Sequence, residues 1–252
     1  MKKLSKYLLW AFGAAWFFQI IAGVLYRKGN SMGYSVVLAV SMFAPLLAAV
    51  LSGVGIRRIG WKPHIKGNIR WILFAWFAPA ILGMIGAGLY FMLVPNAVDT
   101  TFAYAHTLLG NEGLAQLESN GLSVQMYAVI STVSAITYAP FVNMLLAIGE
   151  EAGWRGTMYP ILKEHFGIVK GRLIGGAVWG VWHWPIMLLA GYEYGTIYWG
   201  APVTGSLLFC IITISMGILF DFLYEKTNCI WVPALCHGAI NAFAGVPVLY
   251  LN

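Results

Sequence analysis

Seven stretches of this chain, near residues 7–26, 34–54, 71–94, 124–149, 173–191, 203–222 and 231–249, are mostly apolar over close to the roughly 20 residues that a helix needs to cross a bilayer. In hydrocarbon a backbone N–H or C=O has no water to bond, so such a segment folds as a helix that satisfies its own backbone. The expected fold class is therefore all-α, a polytopic transmembrane helical bundle of seven to eight spans. Only 10% of the residues are charged, against about a quarter in a soluble domain, which leaves too little polar surface for a water-soluble fold. The first run follows Lys2, Lys3 and Lys6. It is too long for a signal-peptide core and lacks a small-residue cleavage site, so it reads as a retained first helix.

Lys and Arg collect in short cytoplasmic loops, so their distribution orients the chain. With the N-terminus inside, the inner connections hold Arg57, Arg58, Lys62, Lys66 and Arg70, then Lys163, Lys170 and Arg172, then Lys226. The outer side has Arg27 and Lys28 but otherwise Asp99, Glu112, Glu118 and Glu193. That asymmetry predicts the N-terminus in the cytoplasm and the C-terminus outside. The basic residues form juxtamembrane groups rather than a groove with aromatic platforms, so the net charge of +6 carries no nucleic-acid signature. Cys210, Cys229 and Cys236 are odd in number, lie in or beside apolar runs, and read as packing residues.

No repeat or long polar linker divides the sequence, and a single membrane domain over residues 1–252 is expected. The longest aqueous segment, about Asn96 to Ser123, is expected to form a short interfacial helix with His106 solvated. Pro45, Pro79, Pro140 and Pro185 predict kinks, and Trp10, Trp71, Trp199 and Trp231 read as interfacial anchors.

Ionisable residues in or at the edge of a span are costly unless paired or hydrated, and each is a functional candidate. Glu150 and Glu151 follow directly on an apolar run, and Arg155 comes one turn later. On a helix Glu151 and Arg155 are i and i+4 with the acid first, the better order for an ion pair. The two carboxylates diverge by roughly 100°, so Arg155 can hold one while the other serves proton transfer. The second element is Trp179 with His183 at i, i+4, followed by Pro185, whose missing N–H leaves the Val181 carbonyl unbonded near the imidazole. The third is His237 with Asn241, again i, i+4. Singly, each is explained as a charged helix end or as interhelical hydrogen bonding. Together, at one expected depth, they supply a base for water, a proton donor for a leaving amine and donors for an oxyanion.

In this order and at these separations, EExxxR, aromatic-xxxH and HxxxN resemble the CPBP family of intramembrane proteases, which includes the type II CAAX prenyl endopeptidases and bacterial proteins of bacteriocin processing and self-immunity. The resemblance covers about residues 125–245, the expected protease-like core, and departs from the family at Trp179, where Phe is usual. It implies an endopeptidase in which Glu150 activates water with His183, Glu151 and Arg155 organise the site, and His237 with Asn241 stabilises the oxyanion. The roles of the two glutamates can be exchanged. The family is commonly called metalloproteases, while a metal-free glutamate mechanism is also proposed for its CAAX members, and the sequence permits either. His183, His237 and a glutamate suffice as three ligands for catalytic zinc or another divalent metal, with water in the open position, yet no HExxH is present to certify zinc.

The implied partners are membrane lipid and a peptide or lipidated protein substrate, either a prenylated CAAX tail or a leader or bacteriocin-related peptide, in a bacterial cell membrane. Two other classes compete. A non-catalytic bacteriocin-immunity or peptide-binding protein of the same fold does not need the complete polar set. A proton-coupled transporter predicts repeated halves with matching broken helices, and the sequence shows no such symmetry.

Overall fold

The computed structural model describes residues 2–57 and 59–252, so Arg58 of the expected first inner connection lies outside the described residues. The chain is helical throughout: α1 (Lys2–Arg27), α2 (Ser31–Ser41), α3 (Ala44–Leu51), α4 (Ile69–Leu93), α5 (Ala103–Ser119), α6 (Val124–Ile136), α7 (Ala139–Gly153), a π-helical turn (Trp154–Met158), α8 (Tyr159–Phe166), α9 (Ile168–Trp182), α10 (Trp184–Ala190), α11 (Val203–Thr227), α12 (Trp231–Phe243) and a closing 3₁₀ turn (Pro247–Tyr250). Among the described residues, six helical segments are long and apolar enough to span, and a seventh results if α6 and the α7–α8 segment, bent by 56°, count as one. This is the expected all-α polytopic architecture, with the seventh span obtained only by crossing a break.

The prolines explain most of the breaks. Pro45 and Pro185 open α3 and α10, and Pro140 is the second residue of α7. In a first turn the missing N–H has no helical partner to lose. Pro79 alone lies inside a continuous helix, α4. Three of the four expected kinks are thus helix restarts.

Two compact units divide the chain: residues 1–65 with 146–234, and residues 66–145 with 235–252. In the first unit, α1 buries Leu4, Tyr7, Ala11, Ala15, Gln19 and Ala22, a helical stripe at intervals of three and four residues. The Trp182 indole donates to the Ala11 carbonyl at 3.1 Å, and the Trp16 indole donates to the Trp182 carbonyl at 3.2 Å, so α1 is fastened to the end of α9. Helices α9 and α11 meet through glycine: a Cβ on Gly180 would stand 2.7 Å from Cys210 Sγ and from Thr213 Oγ1. Close approach of this kind is how helices associate where no hydrophobic force acts between them. Lys163 of α8 and Arg172 of α9 bracket Asp221 and Glu225 of α11 in four ion pairs of 2.6–2.7 Å.

In the second unit, Phe243 packs with Ala80 and Ala135, and the Trp76 indole donates to the Ile136 carbonyl at 2.8 Å. The helix expected between Asn96 and Ser123 is α5, and His106 on it is exposed. Asp99 starts it, its carboxylate accepting from the Thr101 N–H at 2.7 Å, the Thr101 hydroxyl at 2.6 Å and the Ala103 N–H at 2.6 Å. These bonds hold the Asp99 carboxyl below the usual carboxylate range. Outward residues of α4, among them Leu73, Phe77, Ile81 and Leu82, are exposed, as a lipid-facing helix requires. Cys229 and Cys236 are buried and Cys210 is partly so, all as free thiols.

Candidate active site

Glu150 and Glu151 lie on the last turn of α7, framed by Gly149 and Gly153. A Cβ on Gly149 would stand 2.7 Å from the Met42 carbonyl oxygen, and one on Gly153 would collide with Pro45. The two glycines therefore let α7 press directly on the backbone of the α2–α3 break. The carboxylates are buried, Glu150 at 2% exposure and Glu151 at 0%.

Their environments differ as the 100° divergence requires. Arg155 Nη1 donates to Glu151 Oε1 at 3.0 Å, an ion pair with both side chains wholly buried. The guanidinium carbon lies 4.3 Å from the centroid of Trp179 and 5.0 Å from those of Tyr159 and Phe220. Such contacts contribute about 2 kcal/mol or more when desolvated, and they explain how an arginine can sit at 0% exposure. Gly217 leaves room for this cage: its absent Cβ would collide with the Tyr159 hydroxyl.

Glu150 accepts from two indoles. Its Oε2 accepts from the Trp179 indole at 2.6 Å and more weakly from the Trp154 indole at 3.4 Å. Trp154 stands to Glu150 as Arg155 does to Glu151, one turn on; the same spacing argument that finds the ion pair finds this donor, but indole is not a group that charge counting looks for. The π-helical turn begins at Trp154, and the Tyr159 N–H bonds the Trp154 carbonyl across it. One residue added to a turn rotates everything after it by about 100°, and π-turns concentrate at functional sites.

His183 sits at the joint between α9 and α10, 9% exposed. Its backbone N–H turns to the Gly180 carbonyl at 3.1 Å, which releases the Trp179 carbonyl to meet His183 Nδ1 at 2.9 Å. A carbonyl only accepts, so Nδ1 carries the proton, and in the neutral ring Nε2 is then the acceptor. This corrects the expectation placed on Pro185: the carbonyl that meets the imidazole is that of Trp179, and the Val181 carbonyl takes the His183 N–H as a second acceptor. The helix ends before Pro185 acts, so the residue four before it loses no partner. The imidazole is boxed by Trp182 at 4.6 Å, Phe209 at 4.9 Å and, with nearly parallel rings, Tyr192 at 6.2 Å.

Trp179 thus joins three groups: its indole N–H holds Glu150, its ring faces Arg155 and its carbonyl fixes His183. Glu150, Glu151, Arg155 and His183 lie in the first unit. His237 and Asn241 lie on the part of α12 that belongs to the second unit, one turn apart, His237 buried at 4% and Asn241 exposed. Among the described residues no three His, Cys, Asp or Glu side chains are grouped as ligands of a metal ion.

Residues 132–243 match the family model described as type II CAAX prenyl endopeptidase Rce1-like. A curated relative, CAAX prenyl protease 2 of Methanococcus maripaludis, is 28% identical over 103 residues, which are 40% of this chain and 37% of the relative. The chain therefore matches little more than a third of that relative's length.

Proposed function

We propose, from the premise that residues 132–243 are a CPBP-family region of the Rce1-like type, that this membrane protein is an endopeptidase cutting peptide bonds of membrane-associated or lipidated peptides. The observation that carries the reading is Trp179, which fastens a buried carboxylate and a tautomer-fixed imidazole to one residue. Glu150 takes a proton from water, His183 Nε2 supplies the second acceptor, and the resulting hydroxide attacks the scissile carbonyl. The proton passes to the leaving amine as the C–N bond breaks. By family resemblance, His237 and Asn241 donate to the oxyanion. Glu151 and Arg155 act on geometry, holding the turn from which Glu150 projects.

Prenylated CAAX tails and leader or bacteriocin-related peptides are the substrate classes proposed, with membrane lipid as the surrounding partner. The chain is placed in a bacterial cell membrane with the N-terminus in the cytoplasm. Cysteines introduced at Lys66 and Glu118 are then labelled from the inside and the outside respectively, and the reverse pattern overturns the orientation.

The test is cleavage of a lipidated CAAX peptide and a leader-peptide panel by purified protein, with and without chelator. Glu150→Ala, His183→Ala and His237→Ala are expected to abolish cleavage in protein that remains folded. Retained cleavage in all three refutes the assignment. Chelator sensitivity would add a metal to the mechanism. Absence of cleavage by wild-type protein across the panel would favour the non-catalytic peptide-binding alternative.

A further inference from the structure

Tyr7 lies outside the region that matches the protease family, on the first helix, yet it reaches the carboxylate cluster. Its side chain is wholly buried. Its ring meets Trp154 edge-on at 6.0 Å, and Trp154 is one of the two indoles that donate to Glu150. The phenol lies within electrostatic reach of both Arg155 and Glu150. Its hydroxyl has no hydrogen-bonding partner among the described residues, and the same holds of the Tyr159 hydroxyl and of Arg155 Nε and Nη2. Buried polar groups are nearly always satisfied, so a group of unsatisfied atoms around one pair of carboxylates calls for an explanation.

Donor and acceptor chemistry supplies it. Arg155 only donates, an ionised carboxylate only accepts, and a phenolic hydroxyl does both. A hydroxyl between them accepts from the cation and donates to the carboxylate, linking the Glu151–Arg155 pair to Glu150. Phenylalanine would fill the same space against Trp154 without the unsatisfied oxygen, so packing does not account for tyrosine here.

We propose that Tyr7 is a positioning residue of the site, its hydroxyl relaying a hydrogen bond from Arg155 to Glu150 through ordered water, so that the first helix completes the constellation formed by α7 and α9. The inference rests on Glu150 being the base of the proposed endopeptidase.

The test is Tyr7→Phe in the full-length protein, read three ways. Thermal stability stays unchanged or rises, because the hydroxyl has no protein partner to lose. The infrared carboxyl and carboxylate bands of Glu150, identified as those that Glu150→Gln removes, shift in Tyr7→Phe. The kcat/KM for peptide cleavage falls at least tenfold, and the shape of its pH profile changes. An unshifted Glu150 band overturns the proposal, as does unchanged kcat/KM in a protein that cleaves. If the wild-type protein cleaves nothing, the proposed function fails on its own account, and the infrared band, which needs no turnover, decides the relay.

Discussion

Replacing Arg155 by methionine tests the architecture of the site independently of its chemistry. Arg155 and Glu151 are 3.0 Å apart with both side chains at 0% exposure. At an effective dielectric of ~20 a pair at that distance gains about 5 kcal/mol, which offsets the desolvation of two buried charges. Removing one member leaves the other uncompensated, a loss of about 3–5 kcal/mol in comparable pairs. Methionine keeps the apolar stem against Trp179, Tyr159 and Phe220, so the loss reports mainly the charge. Glu151→Gln is expected to destabilise by a similar amount, leaving a buried guanidinium. Arg155→Met with Glu151→Gln removes both charges, and most of the stability should return, leaving the double variant far less damaged than the sum of the two singles. Reversible unfolding by SDS titration in mixed micelles measures all four corners of the cycle. Single variants within about 0.5 kcal/mol of wild type, or a double variant as damaged as the sum of the singles, would refute the idea that the pair is held as a dry, mutually dependent unit.

Four further outcomes follow from named contacts. Trp179→Phe, the residue usual in the family, keeps an aromatic face under Arg155 but deletes the 2.6 Å donor to Glu150; a hydrogen bond to a charged group is worth about 1.5 kcal/mol or more, so peptide cleavage should slow about tenfold with the fold retained. Gly153→Ala drives a methyl into Pro45, and the melting temperature should fall by several degrees as overpacking removes about 1–3 kcal/mol. Asp221→Ala deprives Lys163 and Arg172 of a shared buried acceptor while both keep Glu225; the loss in SDS unfolding should be about 2 kcal/mol, smaller than for Arg155→Met because these cations reach solvent. The Asp99 carboxyl is lowered by its bonds to Thr101 and Ala103, so its contribution is present above the unfolded value of about 3.9 and is lost as pH falls through the lower folded value. Protection of the α5 amides against hydrogen exchange, taken relative to the intrinsic rate at each pH, should therefore fall below about pH 4, and Asp99→Asn should flatten that dependence.

Much of this was legible in the sequence because it depends on intervals. The spans appear as apolar runs, and Glu151 with Arg155 appears as i, i+4, since a helix converts spacing into proximity. The prolines were legible as breaks, but their effect was not, because a proline that opens a new helix and one that lies inside a continuing helix look alike in sequence. Pro45, Pro140 and Pro185 prove to be of the first kind and Pro79 of the second. Asp221 closes the 203–222 apolar run and Glu225 follows just beyond it, and their cations come from 49 to 62 residues away. No interval encodes that meeting.

The site itself shows why spacing was insufficient at His183. Periodicity places Trp179 and His183 on one face, and both are there, yet the operative contact is between a side chain and a backbone carbonyl. It exists only because the helix tightens at its end and the His183 N–H bonds Gly180 instead. That tightening fixes the tautomer, and the tautomer decides which nitrogen can take a proton. Sequence thus identifies the histidine, while the end of α9 determines what the histidine can do. If α9 were extended one residue by Pro185→Ala, the His183 N–H would return to the Trp179 carbonyl and compete with Nδ1 for it. The imidazole would then lose its fixed tautomer, and cleavage should fall without loss of His183 or Glu150. Nitrogen-15 shifts of the His183 ring measure the two tautomers directly, and an unchanged Nδ1–H population in Pro185→Ala would show that the carbonyl contact is not what sets it.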